Sequence, residues 1–491
     1  MSIQAATEKM IPNMIGAEEV ESTSRRRLSV TDPSTGEVLG HVPLSNSADL
    51  DAAVARGVKA QKEWGHLALK DRVQVMFRLK AIMEENADDL TALITRENGK
   101  TTGEARGELL RAIECVEFAT SLPQIAAGPV MEVSRGVECK MLRYPLGVVA
   151  AITPFNFPLM VPLWMLPVAL ASGNAVILKP SEQTPLSAVE LARLFEQAGL
   201  PPGLFSVVNG DREIVEAICD HPSISAIGFV GSTKVAKLVY ERGSAHGKRV
   251  KALGGAKNHL VVVPDADPEM TAANVVASAT GCAGQRCMAA SVLIAVGDVD
   301  AILDKIKEKF RAMKAGRDIG SVISPGARDR IAGYIERCTS DGATLVVDGR
   351  KGIADDAPAG GNYIGPTVFD HAKPEHAVAC EEIFGPTLTI IRCKTLEEAI
   401  AIENANPYGN AAAIYTSSGE VATHFAERAS AGMIGINIGV PVPREPFPFG
   451  GWNDSSYGEG DLTGHGSFDF WTKSKKITTK WSERNRSNWM S

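Results

Sequence analysis

After Pro145 the apolar residues of this chain fall into two alternating patterns. Gly147–Ile152, Ala175–Leu178, Phe205–Val208 and Ala226–Val230 are short apolar runs of strand length. The stretches between them, Leu159–Ser172, Ser187–Ala198, Ile214–Asp220 and Lys234–Arg242, carry helical spacing. Strands buried on both faces and joined by helices pair in parallel, because each crossover returns the chain to the same edge of the sheet. The pattern predicts a doubly wound α/β sheet. A second block begins near His259, with Leu260–Val263 and Ala290–Val296 as strands, Pro268–Gly281 and Asp298–Ala315 as helices, and further units to about Asn437. A chain of 491 residues outgrows one core, so two or three domains are expected. Upstream, Ser47 is expected to cap a helix with Leu50, Val54 and Val58 on its inner face. Helical patterns then cover Arg72–Glu97 and Thr101–Thr120, and Val130–Tyr144 reads as a hairpin. Ser467–Trp481 is again extended, a terminal strand in need of a partner.

Composition narrows the function classes. Net charge is −7 with no long run of one sign and few aromatics, which disfavours nucleic acid. The longest apolar run, Leu159–Ala171, contains two prolines and is too short to cross a bilayer. No basic segment leads into an apolar one at the N-terminus, and Glu8, Glu18 and Glu19 come early, so a cytoplasmic protein is expected. The eight cysteines form no CxxC pair and no zinc-spaced cluster, so no metal is expected.

Four short motifs could carry chemistry. Gly228-Phe229-Val230-Gly231-Ser232-Thr233 is strand, tight turn and helix start. Free amides and the helix dipole there suit a phosphate, and Gly231 allows close approach. The plainer reading is a turn with Ser232 as N-cap. Leu178-Lys179-Pro180-Ser181-Glu182 ends a buried strand, where Lys179 and Glu182 could bind ribose hydroxyls or simply pair with each other. In Gly284-Gln285-Arg286-Cys287-Met288, small neighbours expose a thiol and Arg286 supplies positive charge. Cys287 is a candidate nucleophile or a structural cysteine, with Cys282 as its natural decoy. In Pro154-Phe155-Asn156-Phe157-Pro158, Asn156 is either a fixed donor for a developing oxyanion or a turn residue.

Together, in this order and with Glu381-Glu382-Ile383-Phe384-Gly385-Pro386, these motifs resemble the aldehyde dehydrogenase superfamily from about Ile15 to Trp481. Tyr144–Val148, Gly255–His259, Gly284–Met288 and Phe447–Trp452 are similar to the CoA-acylating methylmalonate-semialdehyde (malonate-semialdehyde) dehydrogenases. The resemblance implies two doubly wound domains and a small β element for oligomerisation. Residues 1–129 and 149–255 would bind NAD, 256–455 would carry Cys287, and 130–148 with 456–491 would assemble a homotetramer. It implies Cys287 as nucleophile and the Asn156 amide as oxyanion donor. Phe155, Lys179, Glu182, Gly231, Ser232, Glu382 and Phe384 would contact NAD, with Glu182 repelling the 2′-phosphate of NADP. Ala236 departs from the pattern, standing where many relatives have glycine.

The acyl group left on Cys287 then needs an acceptor. Hydrolytic relatives carry a basic Glu in E-L-G-G-K, whereas the matching Lys251-Ala252-Leu253-Gly254-Gly255-Ala256-Lys257-Asn258 has no acid. Water, with a pKa of about 15.7, needs a base or a metal to attack at neutral pH. A thiol at about 8.5 is already partly ionised. An acyl-CoA product is therefore expected, with coenzyme A as co-substrate. A hydrolytic enzyme using another carboxylate is the alternative, and a non-catalytic member of the fold is a third. Arg286 and Arg111 are expected to bind a substrate carboxylate, which the resemblance suggests is lost in the reaction. Arg111 could instead form a helix-surface ion pair with Glu108 or Glu114.

Overall fold

The computed structural model describes residues 9–481. The outermost parts of the expected first and last segments, residues 1–8 and 482–491, lie outside the described residues. Two large sheets organise the chain. The first has eight strands, in the order Glu18–Val20, Asn13–Ile15, Phe205–Val207, Ala175–Lys179, Val148–Ile152, Ile224–Val230, Arg249–Leu253 and Ser456–Tyr457. Its five central strands are parallel and the outer pairings antiparallel. The second runs Thr344–Val347, Thr367–Ala372, Thr387–Cys393, Ala290–Val296, Asn258–Val262, Ala411–Tyr415 and Met433–Ile436. It is parallel except at the Thr344–Val347 edge. The doubly wound α/β reading holds for both.

In the first sheet the chain winds outward from Val148–Ile152 through Ala175–Lys179 to Phe205–Val207. It then returns to the other side of Val148–Ile152 with Ile224–Val230. The reversal opens a crevice beyond the carboxyl ends of these two strands, the usual place for a ligand in such sheets. The Met160–Ala171 helix behind the crevice is buried along its whole length, which explains its unbroken apolar sequence. A three-stranded antiparallel sheet of Val130–Ser134, Val137–Pro145 and Thr472–Lys480 stands apart from both.

Local chemistry corrects several expectations. Asn46, not Ser47, caps the Ser47–Trp64 helix, its side chain accepting from Ala48 and Asp49 while Asp49 returns to the Asn46 amide. Leu50 and Val54 are buried in that helix, but Val58 is exposed. The Arg72–Glu97 pattern is broken into Gln74–Glu85 and Ala87–Asn98, with Asn86 between them. His465–Phe470 is a helix, so the terminal strand begins only at Thr472. Ser456–Tyr457 joins the first large sheet, not the three-stranded one. Arg249–Leu253 was not foreseen as a strand; the charged Arg249 and Lys251 break up the buried Val250, Ala252 and Leu253, leaving no apolar run.

Candidate active site

The two sheets meet with opposite ends. Loops leaving the first sheet carry Phe155 and Asn156 after Val148–Ile152, and Gly231 and Ser232 after Ile224–Val230. Loops entering the second carry Cys287 before Ala290–Val296, Glu382 and Phe384 before Thr387–Cys393, and Asn410 before Ala411–Tyr415. Two cavities lie at this junction, and both are lined by Cys287.

The first cavity, of about 260 Å³, occupies the crevice. It gathers Phe155, Asn156, Gly231, Ser232, Cys287, Glu382 and Phe384, seven of the residues expected from sequence, together with Arg330. Ser232 takes the N-cap position of the Thr233–Ala245 helix, but its side chain makes no capping hydrogen bond. The hydroxyl and the Thr233 and Lys234 amides remain available to an anion, while the Val235 amide turns back to the Ser232 carbonyl. Phe155 and Phe384 meet edge to face at 5.9 Å. Glu382 accepts a hydrogen bond from the Ala256 amide at 3.0 Å, and burial raises its pKa above the ordinary carboxylate value. A Cβ on Gly255 would lie 2.4 Å from a Glu382 oxygen, so only glycine lets this carboxylate reach the cavity. Lys257 holds the loop before Glu382 by donating to the Val378 and Glu381 carbonyls at 2.9 and 2.6 Å. Its burial pushes the amine down to about 8.

Lys179 and Glu182 do not line this cavity. They sit at the carboxyl end of the adjacent strand, where Lys179 donates to Glu182 at 3.1 Å and to the Gly210 carbonyl at 2.7 Å. The two side chains thus pair with each other, the plainer of the two readings of this motif.

The second cavity, of about 310 Å³, opens on the other side of Cys287. Its lining includes Arg111, Arg286, Arg444, Glu104, Glu108 and Cys282. Arg111 pairs with Glu114 and with Glu445, each at 2.6 Å, and donates to the Pro443 carbonyl. Glu108 is not its partner, being committed to Lys100. Arg286 donates to the Ala277 carbonyl at 2.6 Å and lies where a Gly281 Cβ would stand. The Nε–H groups of Arg111 and Arg286 are both buried without a protein partner. Arg444, missed in the sequence, reaches the same cavity by a loop remote in the chain and pairs with Glu114.

Cys287 is held by groups the sequence motifs did not single out. Asn258 and Asn410 both donate to its carbonyl, at 2.7 and 2.9 Å. Just upstream, Cys282 and Ala283 adopt left-handed backbone, with φ of +52° and +51°. Such strain persists only where surroundings enforce it, and here the Cys282 amide is fixed by Glu104. Burial, then the Glu382 charge, pushes the Cys287 thiol up to about 12, while Arg286 works in the opposite direction. Cys282 is more deeply buried than Cys287.

A nucleophile-sized thiol between an anion-ready crevice and an arginine-lined cavity is matched by similarity over almost the whole chain. The model of the aldehyde dehydrogenase family matches residues 20–477. The chain belongs to the aldehyde dehydrogenase family. Among relatives, malonate-semialdehyde dehydrogenase 3 of Geobacillus kaustophilus is 45% identical, covering 96% of this chain and 99% of the relative. The malonate-semialdehyde dehydrogenase of Halalkalibacterium halodurans is 44% identical, covering 97% and 99%. Methylmalonate-semialdehyde dehydrogenase from Oceanimonas doudoroffii has the same fold at a TM-score of 0.94, 40% identity and coverage of 97% and 99%. A Sinorhizobium meliloti structure complexed with NAD matches at a TM-score of 0.96, 38% identity and coverage of 98% and 100%. An aldehyde dehydrogenase of this family oxidises an aldehyde, and no helix among the described residues is long and apolar enough to cross a membrane.

Proposed function

We propose that this aldehyde dehydrogenase oxidises a short carboxylated semialdehyde, malonate or methylmalonate semialdehyde, through a Cys287 thioester and transfers the acyl group to coenzyme A. Loss of the substrate carboxylate as CO2 or bicarbonate would give acetyl-CoA or propionyl-CoA. One observation carries the CoA assignment. The segment that holds a base in hydrolytic relatives reaches the crevice only as Gly254 and Gly255, and Ala252 and Leu253 are buried in a strand. The names of the malonate-semialdehyde dehydrogenases at 44–45% identity support the same substrate class.

The crevice residues fit NAD, whose complexes with structural neighbours support the choice. Ser232 and the first-turn amides of its helix would hold the pyrophosphate, Lys179 and Glu182 the adenosine ribose, and Glu382 the nicotinamide ribose. Phe155, Gly231 and Phe384 would pack against it. When bound, NAD supplies the hydride acceptor. Once its thiol has given up its proton, Cys287 would attack the aldehyde carbon, and the carbonyl oxygen would take the negative charge. Asn156 already donates one amide hydrogen to the Gln285 carbonyl at 2.9 Å. Its second hydrogen and the Cys287 backbone N–H would stabilise the oxyanion. On the far side, the guanidinium groups of Arg111 and Arg286, which line the second cavity, would receive the substrate carboxylate.

The eight-stranded half would form the dinucleotide-binding domain and the seven-stranded half the catalytic domain. The three-stranded sheet leaves Val130, Met131 and Val133 exposed at 63%, 63% and 52%, which supports assembly into a homotetramer. All eight cysteines are free, in keeping with a cytoplasmic site of action.

A second reading rests on Glu382, whose raised pKa and place in the Cys287 crevice suit a base for water. NADH formation from malonate semialdehyde with and without coenzyme A separates the two. Sustained turnover only with coenzyme A, with acetyl-CoA identified by mass, is expected. Equal turnover without it, giving free acid, would overturn the acylating reading.

A further inference from the structure

The Thr102–Thr120 helix turns Glu104, Glu108 and Arg111 toward the junction at helical spacing. Glu108 forms an ion pair with Lys100 at 2.6 Å, and both side chains are essentially sealed from solvent, at 0% and 1% exposed. Such a pair gives little net stability, because desolvating two charges offsets their attraction. Its contacts point to another use. Lys100 donates to the backbone carbonyl of Asn156 at 2.7 Å and sits 4.2 Å above the Phe157 ring. The remaining Glu108 oxygen accepts from the amides of Leu159 and Met160 at 2.9 and 3.1 Å. Lys100 thus donates to Glu108 and Asn156 and sets its charge against the face of Phe157. One ion pair fastens the irregular loop around Asn156 at four residues. One turn earlier on the same helix, Glu104 holds the Cys282 amide in the nucleophile loop. Both loops are therefore referenced to one rigid element.

We propose that Lys100 and Glu108 are positioning residues that hold the Asn156 amide against the Cys287 loop, so that the oxyanion donor is in place before the aldehyde arrives. The proposal rests on the reading of Asn156 as that donor. Neither side chain touches the substrate; both act through the loop they fasten. A preorganised donor is effective because no reorganisation is required as charge develops, and small displacements of such groups lower rates steeply.

The test replaces both partners, Lys100→Met with Glu108→Gln, so that no lone charge is left buried. The first-turnover rate of NADH formation is measured with malonate semialdehyde and with uncharged propanal, alongside NAD affinity and melting temperature. The expected result is a folded protein with ordinary NAD affinity and a first turnover slowed about 10- to 100-fold for both aldehydes. In an Asn156→Ala background the same pair of substitutions should add less than about twofold, because residues acting as one unit are not additive. An unchanged rate in the pair variant would overturn the proposal. So would an equal further loss in the Asn156→Ala background, since that marks general destabilisation. If Asn156→Ala alone leaves the first turnover at the wild-type rate, the oxyanion assignment itself falls, a result distinct from failure of the pair. Should the double variant not fold, Glu108→Gln alone keeps an oxygen for Leu159 and removes the charge. It is expected to slow the first turnover with both aldehydes without changing the KM for NAD, and an unaltered rate would overturn the proposal.

Discussion

The two large sheets contribute to the same site by opposite edges. The first offers loops that follow its strands, and the one at Ser232 ends in a helix start whose Thr233 and Lys234 amides are unused. The second offers loops that precede its strands, as at Cys287 and Glu382, and these depend on side chains for their shape. Asn258 and Asn410 grip the Cys287 carbonyl, Lys257 grips the Glu381 carbonyl, and Glu104 grips the Cys282 amide. A carboxyl-edge crevice needs little beyond the winding of the sheet to attract an anion. A reactive thiol at an amino edge has no such help and must be built from buried polar side chains.

The sharpest way to break this division is to remove the thiol and keep the crevice. Cys287→Ala is expected to reduce NADH formation to background while NAD affinity, measured by fluorescence titration, stays within about threefold of wild type. Cys282→Ala should keep most of the turnover. Activity lost in the Cys282 variant and kept in the Cys287 variant would reassign the nucleophile. Next in size is Asn156→Ala, which removes a donor supplied by the first sheet to a charge on the second. A loss of about 100- to 1000-fold in kcat is expected from such a deletion. Unchanged kcat would confine the chemistry to the amino-edge loops.

The same division explains what could be read from the sequence. Strand and helix periods revealed both sheets, the carboxyl-edge rule directed attention to Lys179, and a helix start and a pair of flanking prolines pointed to Ser232 and Asn156. No comparable rule exists for amino edges. There, Cys287 and Glu382 were found only through their motifs, and neither Asn258, inside the Gly255–His259 stretch, nor Asn410 was marked as a group that holds a backbone carbonyl, since spacing does not reveal such a contact. Arg444 and Glu445 escaped for another reason. They reach Arg111 and Glu114 across some 330 positions of chain, a distance that spacing arguments do not span. Lys100 and Glu108 lie close in sequence, yet their meaning depends on the Asn156 loop folding between them. The missed Asn46 cap and the helix break at Asn86 are local errors of one or two residues, which leave the sheets unaffected.

The arginines allow a finer test of which half selects the substrate. Arg111 belongs to the first half and Arg286 to the Cys287 loop, and each keeps a buried donor. Arg111→Lys and Arg286→Lys should each raise the KM for malonate semialdehyde about 10- to 50-fold, since a lysine cannot reproduce a guanidinium fork. Propanal, which has no carboxylate, should be unaffected. Arg444 is 65% exposed along its side chain and already paired with Glu114, so Arg444→Ala should change the same KM by only about threefold. A larger effect at Arg444 than at Arg111 would move carboxylate recognition to the cavity mouth.

The smallest effect concerns the charge that one loop of the second sheet imposes on another. Burial and then Glu382 hold the Cys287 thiol at about 12, so without cofactor it is protonated throughout the neutral range. Because alkylation requires the thiolate, its rate with iodoacetamide should rise about tenfold per pH unit from pH 7 to 10 without reaching a plateau. Glu382 raises the thiol pKa by disfavouring a second negative charge nearby. Glu382→Gln should therefore lower that pKa and speed alkylation at pH 8 by about two- to tenfold, the direction set by removal of a like charge. A slower reaction in that variant would mean that Glu382 serves the thiol as a proton acceptor and not as an opposing charge.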